Sequence, residues 1–306
     1  MTTQEDFYIE LLRLRQNWRL RKVGNAILGD VSYRTAGSRF PQTGTFEITK
    51  AEDDVDQSEA SEESTTSVPK SALRVTVPHE LQGIAYIQVI IQDGQDNLSF
   101  ANIGLPSPAP VNTHWQQQLE ASQNVLFCKE LFSVLAREAV GLNTMPIPPM
   151  IMGNQITATL FPGTNLVIAL CHSINEKTTE NSPTNSKMDQ NHVLEHSLHQ
   201  LLRDMHRSNA CVTLPHPATA PIGIPRKRRH AGPAALDRHT LLQMTKKDGM
   251  LEEIIRQSQH VVLRMRTQVV LDTLSKEIKD PLIISHWASL NAVTHSSVRV
   301  TLQSSG

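Results

Sequence analysis

The stretch Glu10–Ile48, ELLRLRQNWRLRKVGNAILGDVSYRTAGSRFPQTGTFEI, starts on a helical period and ends on strand alternation. Phe7, Leu11, Leu14 and Trp18 recur at +4, +3 and +4, which places them on one helical face. Thr2 or Thr3 is positioned to cap that helix, and Glu5 and Asp6 occupy the first turn, where the helix dipole favours acids. Arg13, Arg15, Arg19, Arg21 and Lys22 dominate the later half, and Gly24 reads as the stop. Beyond it the chain is punctuated by Gly and Ser, with Thr45 to Ile48 alternating as a strand. Nothing in this sequence precedes the helix to bury its apolar stripe, which points to a missing partner or a truncated chain.

Working outward, residues 1–50 read as one unit. Residues 51–71 are crowded with Asp and Glu among Ser and Thr, have almost nothing to bury, and read as a disordered linker. Residues 72–172 read as strand pairs flanking a long helix. Leu73, Val75 and Val77 alternate, Ile87, Val89 and Ile91 follow beyond Pro78 to Gly83, and the two runs read as an antiparallel pair. Thr113 is the expected cap of a helix carrying Leu119, Leu126, Phe127, Leu131, Val134 and Leu135 for about six turns, ending near Gly141. Ile156 to Leu160 and Leu166 to Leu170 read as a hairpin joined through Pro162-Gly163. Residues 173–190 read as a second polar linker. Residues 191–303 read as helical, with a Pro-rich basic loop at 209–233 and a terminal strand. Their long helix carries Leu251, Ile254, Ile255, Val261, Val262, Met265, Val269 and Leu274, and a short helical piece is expected around Trp287. The fold class is α+β: long amphipathic helices with small antiparallel strand pairs and several linkers.

Composition narrows the function. Apolar residues make up 39% and aromatics 4% of the 306 residues, which suits helices that share apolar faces with partners better than a large enzyme core. The formal net charge of −1 excludes a general polyanion binder, so any nucleic-acid contact would be local. Cys128, Cys171 and Cys211 are far apart and odd in number, which excludes a disulfide framework and a zinc ribbon and points to a reducing compartment. No apolar signal segment follows Met1 and no apolar run reaches a membrane span, so the chain reads as intracellular and soluble.

One motif resembles catalysis. His192-Val193-Leu194-Glu195-His196 sets two imidazoles one helical turn apart with a carboxylate beside them, the HxxEH pattern of inverted zinc peptidases. That makes a zinc-dependent hydrolase the rival reading. Against it, 13 His in the chain make such a match unremarkable, and no second acidic helix follows to complete the ligand set. Arg226-Lys227-Arg228-Arg229 lies between Pro225 and Pro233 and reads as a nuclear import signal. It has no aromatic interleaving and no groove-reading helix, so sequence-specific DNA binding is not expected. No phosphate-cradling Gly loop is present and no cofactor is expected.

The stretch quoted first resembles the Mediator subunit 17 family. LLRLRQ-W-LRKVG, ILGD-SYR-AGS-FP and GTFE read as in its animal members. The resemblance resumes at HWQQQLEASQNVLFCKELFSVLAREAV, NQITATLFP, LCHS, VLEHSLHQLLRDMH, PHPATAP, LEEIIRQSQHVVLRMR and DPLIISHW, in the family's order. It implies a nuclear, non-enzymatic scaffold in the Mediator head module, a coactivator that links DNA-bound activators to RNA polymerase II. Its partners would be other Mediator subunits. It also implies a longer protein, with a helical region before this portion and a domain after it. The expected partner surfaces are the apolar faces of three helices: Phe7, Leu11, Leu14 and Trp18; Leu119, Leu126, Phe127, Leu131 and Leu135; and Leu251, Ile254, Ile255, Val262, Met265 and Val269.

Overall fold

The computed structural model describes residues 2–51, 71–94, 96–100, 114–142, 145–174, 193–211, 249–278 and 282–301. The expected linker residues 52–70, 175–190 and 212–233 lie outside the described residues, and so does the basic run 226–229.

Helix α1 (Thr2–Asn17) ends sooner than its periodicity predicts. Arg19–Val23 form strand β1, which turns through Gly24 and Asn25 into β2 (Ala26–Asp30). Gly24 adopts φ +61°, the left-handed conformation that a tight hairpin favours. The reading of one basic helix running to Gly24 is therefore corrected. Leu20 and Val23, three residues apart, suit a helix, but pairing with β2 supplies the backbone partners that override that local signal. Strands β3 (Thr45–Lys50) and β4 (Leu73–Thr76) complete an antiparallel sheet of order β1-β2-β3-β4.

Phe46, Ile48, Leu73 and Val75 are buried on one face of that sheet. Leu14 of α1 is fully buried against the same core, and Phe7, Leu11 and Trp18 pack at its edge. Trp18 meets Phe46 edge to face at 6.3 Å between ring centroids. Glu10 accepts hydrogen bonds from the Leu73 amide at 3.2 Å and from the Ser71 hydroxyl. The expectation that this stripe lies uncovered is thereby corrected: the chain's own sheet covers it.

The second sheet has order β6-β5-β9-β8-β7, with β5 (Ile84–Asp93), β6 (Asp96–Phe100), β7 (Met150–Met152), β8 (Gln155–Phe161) and β9 (Thr164–Ser173), all antiparallel. β4 and β5 do not pair, contrary to the sequence reading. A 3₁₀ turn at His79–Leu81 and Gly83 at φ +86° redirect the chain, so β4 joins β3 and β5 joins β9. Any Cβ on Gly83 would come within 2.2 Å of the Ser173 carbonyl oxygen, so the crossing requires glycine. The β8–β9 hairpin forms as expected, with Gly163 at φ +84°. β6 and β7 are not among the strands read from the sequence; β7, Met-Ile-Met, is apolar throughout and shows no alternation.

Helix α2 (Trp115–Gly141) bridges the two sheets. The Gln123 amide donates to the Val31 carbonyl at 3.1 Å beside the first sheet, and the Asn124 amide donates to the Ala85 carbonyl of β5 at 2.9 Å. Its cap is His114 and not Thr113: His114 Nδ1 accepts from the Gln116 amide at 3.3 Å, and Thr113 lies outside the described residues. Helices α3 (Val193–Cys211) and α4 (Met250–Glu277) pack on each other and on α2. Glu138 of α2 accepts from the Leu251 amide at 2.7 Å and so caps the positive end of α4. The helical piece expected around Trp287 is replaced by a hairpin of β10 (Leu282–His286) and β11 (Ser297–Thr301), joined through a 3₁₀ segment at Leu290–His295. Pairing with β11 satisfies the β10 backbone, and Trp287 lies beneath the Arg264 guanidinium at 5.6 Å. The α+β class stands, with four- and five-stranded sheets in place of isolated strand pairs.

Candidate functional site

The most concentrated polar chemistry among the described residues lies where three distant segments meet. Glu130 of α2, His206 of α3 and Ser38 of the loop before β3 are all buried. Glu130 Oε1 accepts from the Ser38 hydroxyl at 2.7 Å and lies 2.7 Å from His206 Nε2. Tyr33 stacks on the His206 ring at 5.8 Å, and Phe127 meets Tyr33 and His199 edge to face at 5.5 and 5.1 Å. The loop cannot approach α3 without glycine. A Cβ on Gly37 would come within 2.0 Å of the His206 carbonyl oxygen, and Gly37 holds φ +106°. Burial holds the Tyr33 phenol above its usual range, against the opposing pull of Arg203. Burial, with Arg203 and His196 nearby, holds His199 below the usual histidine range. The groups satisfy one another inside the core, so the arrangement fixes the loop and two helices together.

Of the HxxEH residues, the two that are described, Glu195 and His196, point to different sides of α3. His192 lies outside the described residues. Glu195 faces inward, is 2% exposed, and its Oε1 accepts from the Val89 amide of β5 at 3.1 Å. That amide lies one residue before the stretch of β5 that pairs with β6, and the Glu195 side chain supplies its acceptor. Burial raises the Glu195 carboxyl above its usual range, outweighing the Val89 hydrogen bond, and its Oε2 finds no hydrogen-bond partner among the described residues. His196 lies on the exposed side. Among the described residues, no group of three or more His, Cys, Asp or Glu is placed to hold a metal ion.

The expected partner faces divide. Leu14, Leu119, Leu126, Phe127, Leu131, Leu135, Leu251, Ile254, Ile255 and Val262 are buried in this chain's own core, while Phe7, Leu11, Trp18 and Met265 are half-buried. Only Val269 of that set is exposed, at 65%. The stripe of α4 therefore packs inward along its first half; beyond it Met265 is half-buried and Leu271 buried, while Val269 faces outward. Sequence reading missed Ser38, Glu130 and His206. The available signal was Glu130 itself: a carboxylate three residues after Phe127 and beside Leu131, on an apolar face, requires a buried partner.

The family model described as subunit 17 of Mediator complex matches residues 5–275. The chain belongs to the Mediator subunit 17 family. Tyr33, Gly37, Ser38, Glu130, Glu195 and His206 all fall within the matched span. Among relatives, Mediator of RNA polymerase II transcription subunit 17 of Drosophila melanogaster is 53% identical over 98% of this chain and 48% of its own length. The Xenopus tropicalis protein of the same name is 45% identical over 99% of this chain and 48% of its own. The chain thus spans about half the length of these subunit 17 relatives. A chain in the structure of the Schizosaccharomyces pombe Mediator head module shares the fold at a TM-score of 0.50, over 97% of this chain and 63% of that one, with 12% identity.

Proposed function

We propose that this chain is a non-enzymatic scaffold of the Mediator head module, working in the nucleus as part of a coactivator between DNA-bound regulators and RNA polymerase II. Its partners are other Mediator subunits, and it needs no cofactor. The observation that carries this reading is the Ser38–Glu130–His206 joint. The chain's buried polar groups tie segments far apart in sequence into one body, and the joint has the construction of a structural lock. The carboxylate of the zinc-like motif is used in the same way, to complete a sheet edge. Membership of the Mediator subunit 17 family supplies the assembly. Within it, the exposed side of α4 at Val269 is the surface offered from the expected partner faces. Arg226, Lys227, Arg228 and Arg229 serve nuclear import.

The test is affinity capture of the whole chain from nuclear extract, with the co-purifying proteins identified by mass spectrometry. Other head-module subunits are expected, and recovery of none would overturn the proposal. Replacing the four bases with Ala is expected to leave a fluorescently tagged chain in the cytoplasm. Unchanged nuclear accumulation would remove the import role.

A further inference from the structure

Helix α1 is apolar on both sides. Its inner side carries Phe7, Leu11 and Leu14 against the first sheet. On its outer side Tyr8, Ile9 and Leu12 are 54%, 50% and 60% exposed. At 100° per residue these three fall within about a third of the helix circumference, opposite Leu14. A helix with apolar residues on two opposite sides fits between two layers, and the described residues supply one. The outer side is also graded in charge. Glu5 and Asp6 are exposed at its start, and Arg13 and Arg15 at its end.

We infer that the outer face of α1 docks an amphipathic helix of a neighbouring subunit, running antiparallel to α1. The occupant carries an aliphatic stripe, acidic residues in its first turn and basic residues in its last. The antiparallel direction follows from charge. It sets the occupant's acidic start beside Arg13 and Arg15 and its basic end beside Glu5 and Asp6, whereas a parallel helix of that polarity would oppose like charges. The helix dipoles favour the same direction. Docking covers Tyr8, Ile9 and Leu12, which the sheet does not reach. That the occupant comes from another subunit rests on the proposed scaffold role; the face and the polarity do not.

The probe is a labelled synthetic helix of α1's length with a Leu stripe, Glu in its first turn and Lys in its last. A second peptide has the Glu and Lys positions exchanged. Binding of each to the purified whole chain is followed by fluorescence anisotropy. The first peptide is expected to bind roughly five- to tenfold tighter than the second, which recovers the ion pairs only by docking parallel, with aligned dipoles and with its end charges set against its own helix dipole. Leu12→Glu is expected to abolish binding of both, and Arg13→Glu with Arg15→Glu to erase the preference, because each peptide then meets one attractive and one repulsive end. Circular dichroism confirms that these exposed substitutions leave the fold intact. Equal binding of the two peptides, or binding that survives Leu12→Glu, would overturn the inference. Self-association of the chain lost in Leu12→Glu would also overturn it, because the occupant would then be a second copy. Capture from nuclear extract tests the scaffold role separately. If the wild type and Leu12→Glu recovered the same Mediator subunits in equal amounts, the inference would fail and the scaffold role would stand.

Discussion

His206 Nε2 lies 2.7 Å from Glu130 Oε1, with the two residues 3% and 2% exposed, and this contact joins α3 to α2. The same carboxylate oxygen receives the Ser38 hydroxyl, so one atom holds three segments. Removing the imidazole leaves a buried carboxylate with one partner fewer. His206→Ala is expected to destabilise the chain by about 3 kcal/mol. Ser38→Ala should cost about 2 kcal/mol, because it removes the hydrogen bond to Glu130 and the one its hydroxyl accepts from the Phe40 amide at 3.2 Å, and leaves the His206 contact. Urea denaturation of the three proteins checks both values, and a loss below that of Ser38→Ala for the histidine variant would contradict the assignment.

Gly37 is the close approach that lets the joint form. Gly37→Ala places a methyl within 2.0 Å of the His206 carbonyl oxygen and strains a residue at φ +106°. A loss of more than about 2 kcal/mol is expected, since the backbone of the loop or of α3 must shift. Gly94→Ala is the control: it has a comparable positive φ of +63° and nothing within 4 Å, so it should cost about 1 kcal/mol. Thermal melts of the two variants should separate clearly.

Glu195 gives the chain a pH dependence of known sign. Burial raises its folded pKa above the ordinary 4.5, so the folded state holds the proton more tightly than the unfolded state. Its contribution is therefore fully present below the ordinary carboxylate value and is lost as pH rises through the raised folded value. Glu195→Gln keeps an acceptor for the Val89 amide and carries no charge. The variant is expected to equal or exceed the wild type in stability at neutral pH, with the difference shrinking toward acid pH. A difference that grew toward acid pH would reverse the sign and refute this account.

Cys128 is 1% exposed in α2, and burial pushes its thiol up to about 12. Only the thiolate reacts at a useful rate, so iodoacetamide at neutral pH should spare Cys128 in the folded chain and modify it in urea. Peptide mapping of the alkylated protein decides this; modification without unfolding would show that α2 opens locally.

Leu131 and Val269 both belong to the apolar periodicity of their helices but end in opposite surroundings. Leu131 is fully buried and Val269 is 65% exposed. Leu131→Asp is expected to unfold the chain, at a cost above about 4 kcal/mol, because the charge has no partner. Val269→Asp should change stability by no more than about 0.5 kcal/mol. Its effect should appear in the recovery of co-purifying subunits. A folded Leu131→Asp chain would show that α2 is less central than its burial states.

Periodicity by itself determined the long helices, the β8–β9 hairpin and the α+β class, because each is set by neighbours close in sequence. The ordered blocks from Leu11 to Trp287 likewise made the family resemblance legible without a structure. Tertiary structure decided what local signals leave open. Arg19–Val23 became a strand because β2 lies beside it, and β4 joined β3 because Gly83 and the preceding turn redirect the chain. The apolar stripes of α1, α2 and α4 promised partners, but a stripe does not say whether its cover comes from the same chain. Here most of it does. Glu130, His206 and Ser38 are separated by 76 and 92 residues along the chain. No spacing rule links them, and only the packing of α2, α3 and the Gly37 loop makes them one joint.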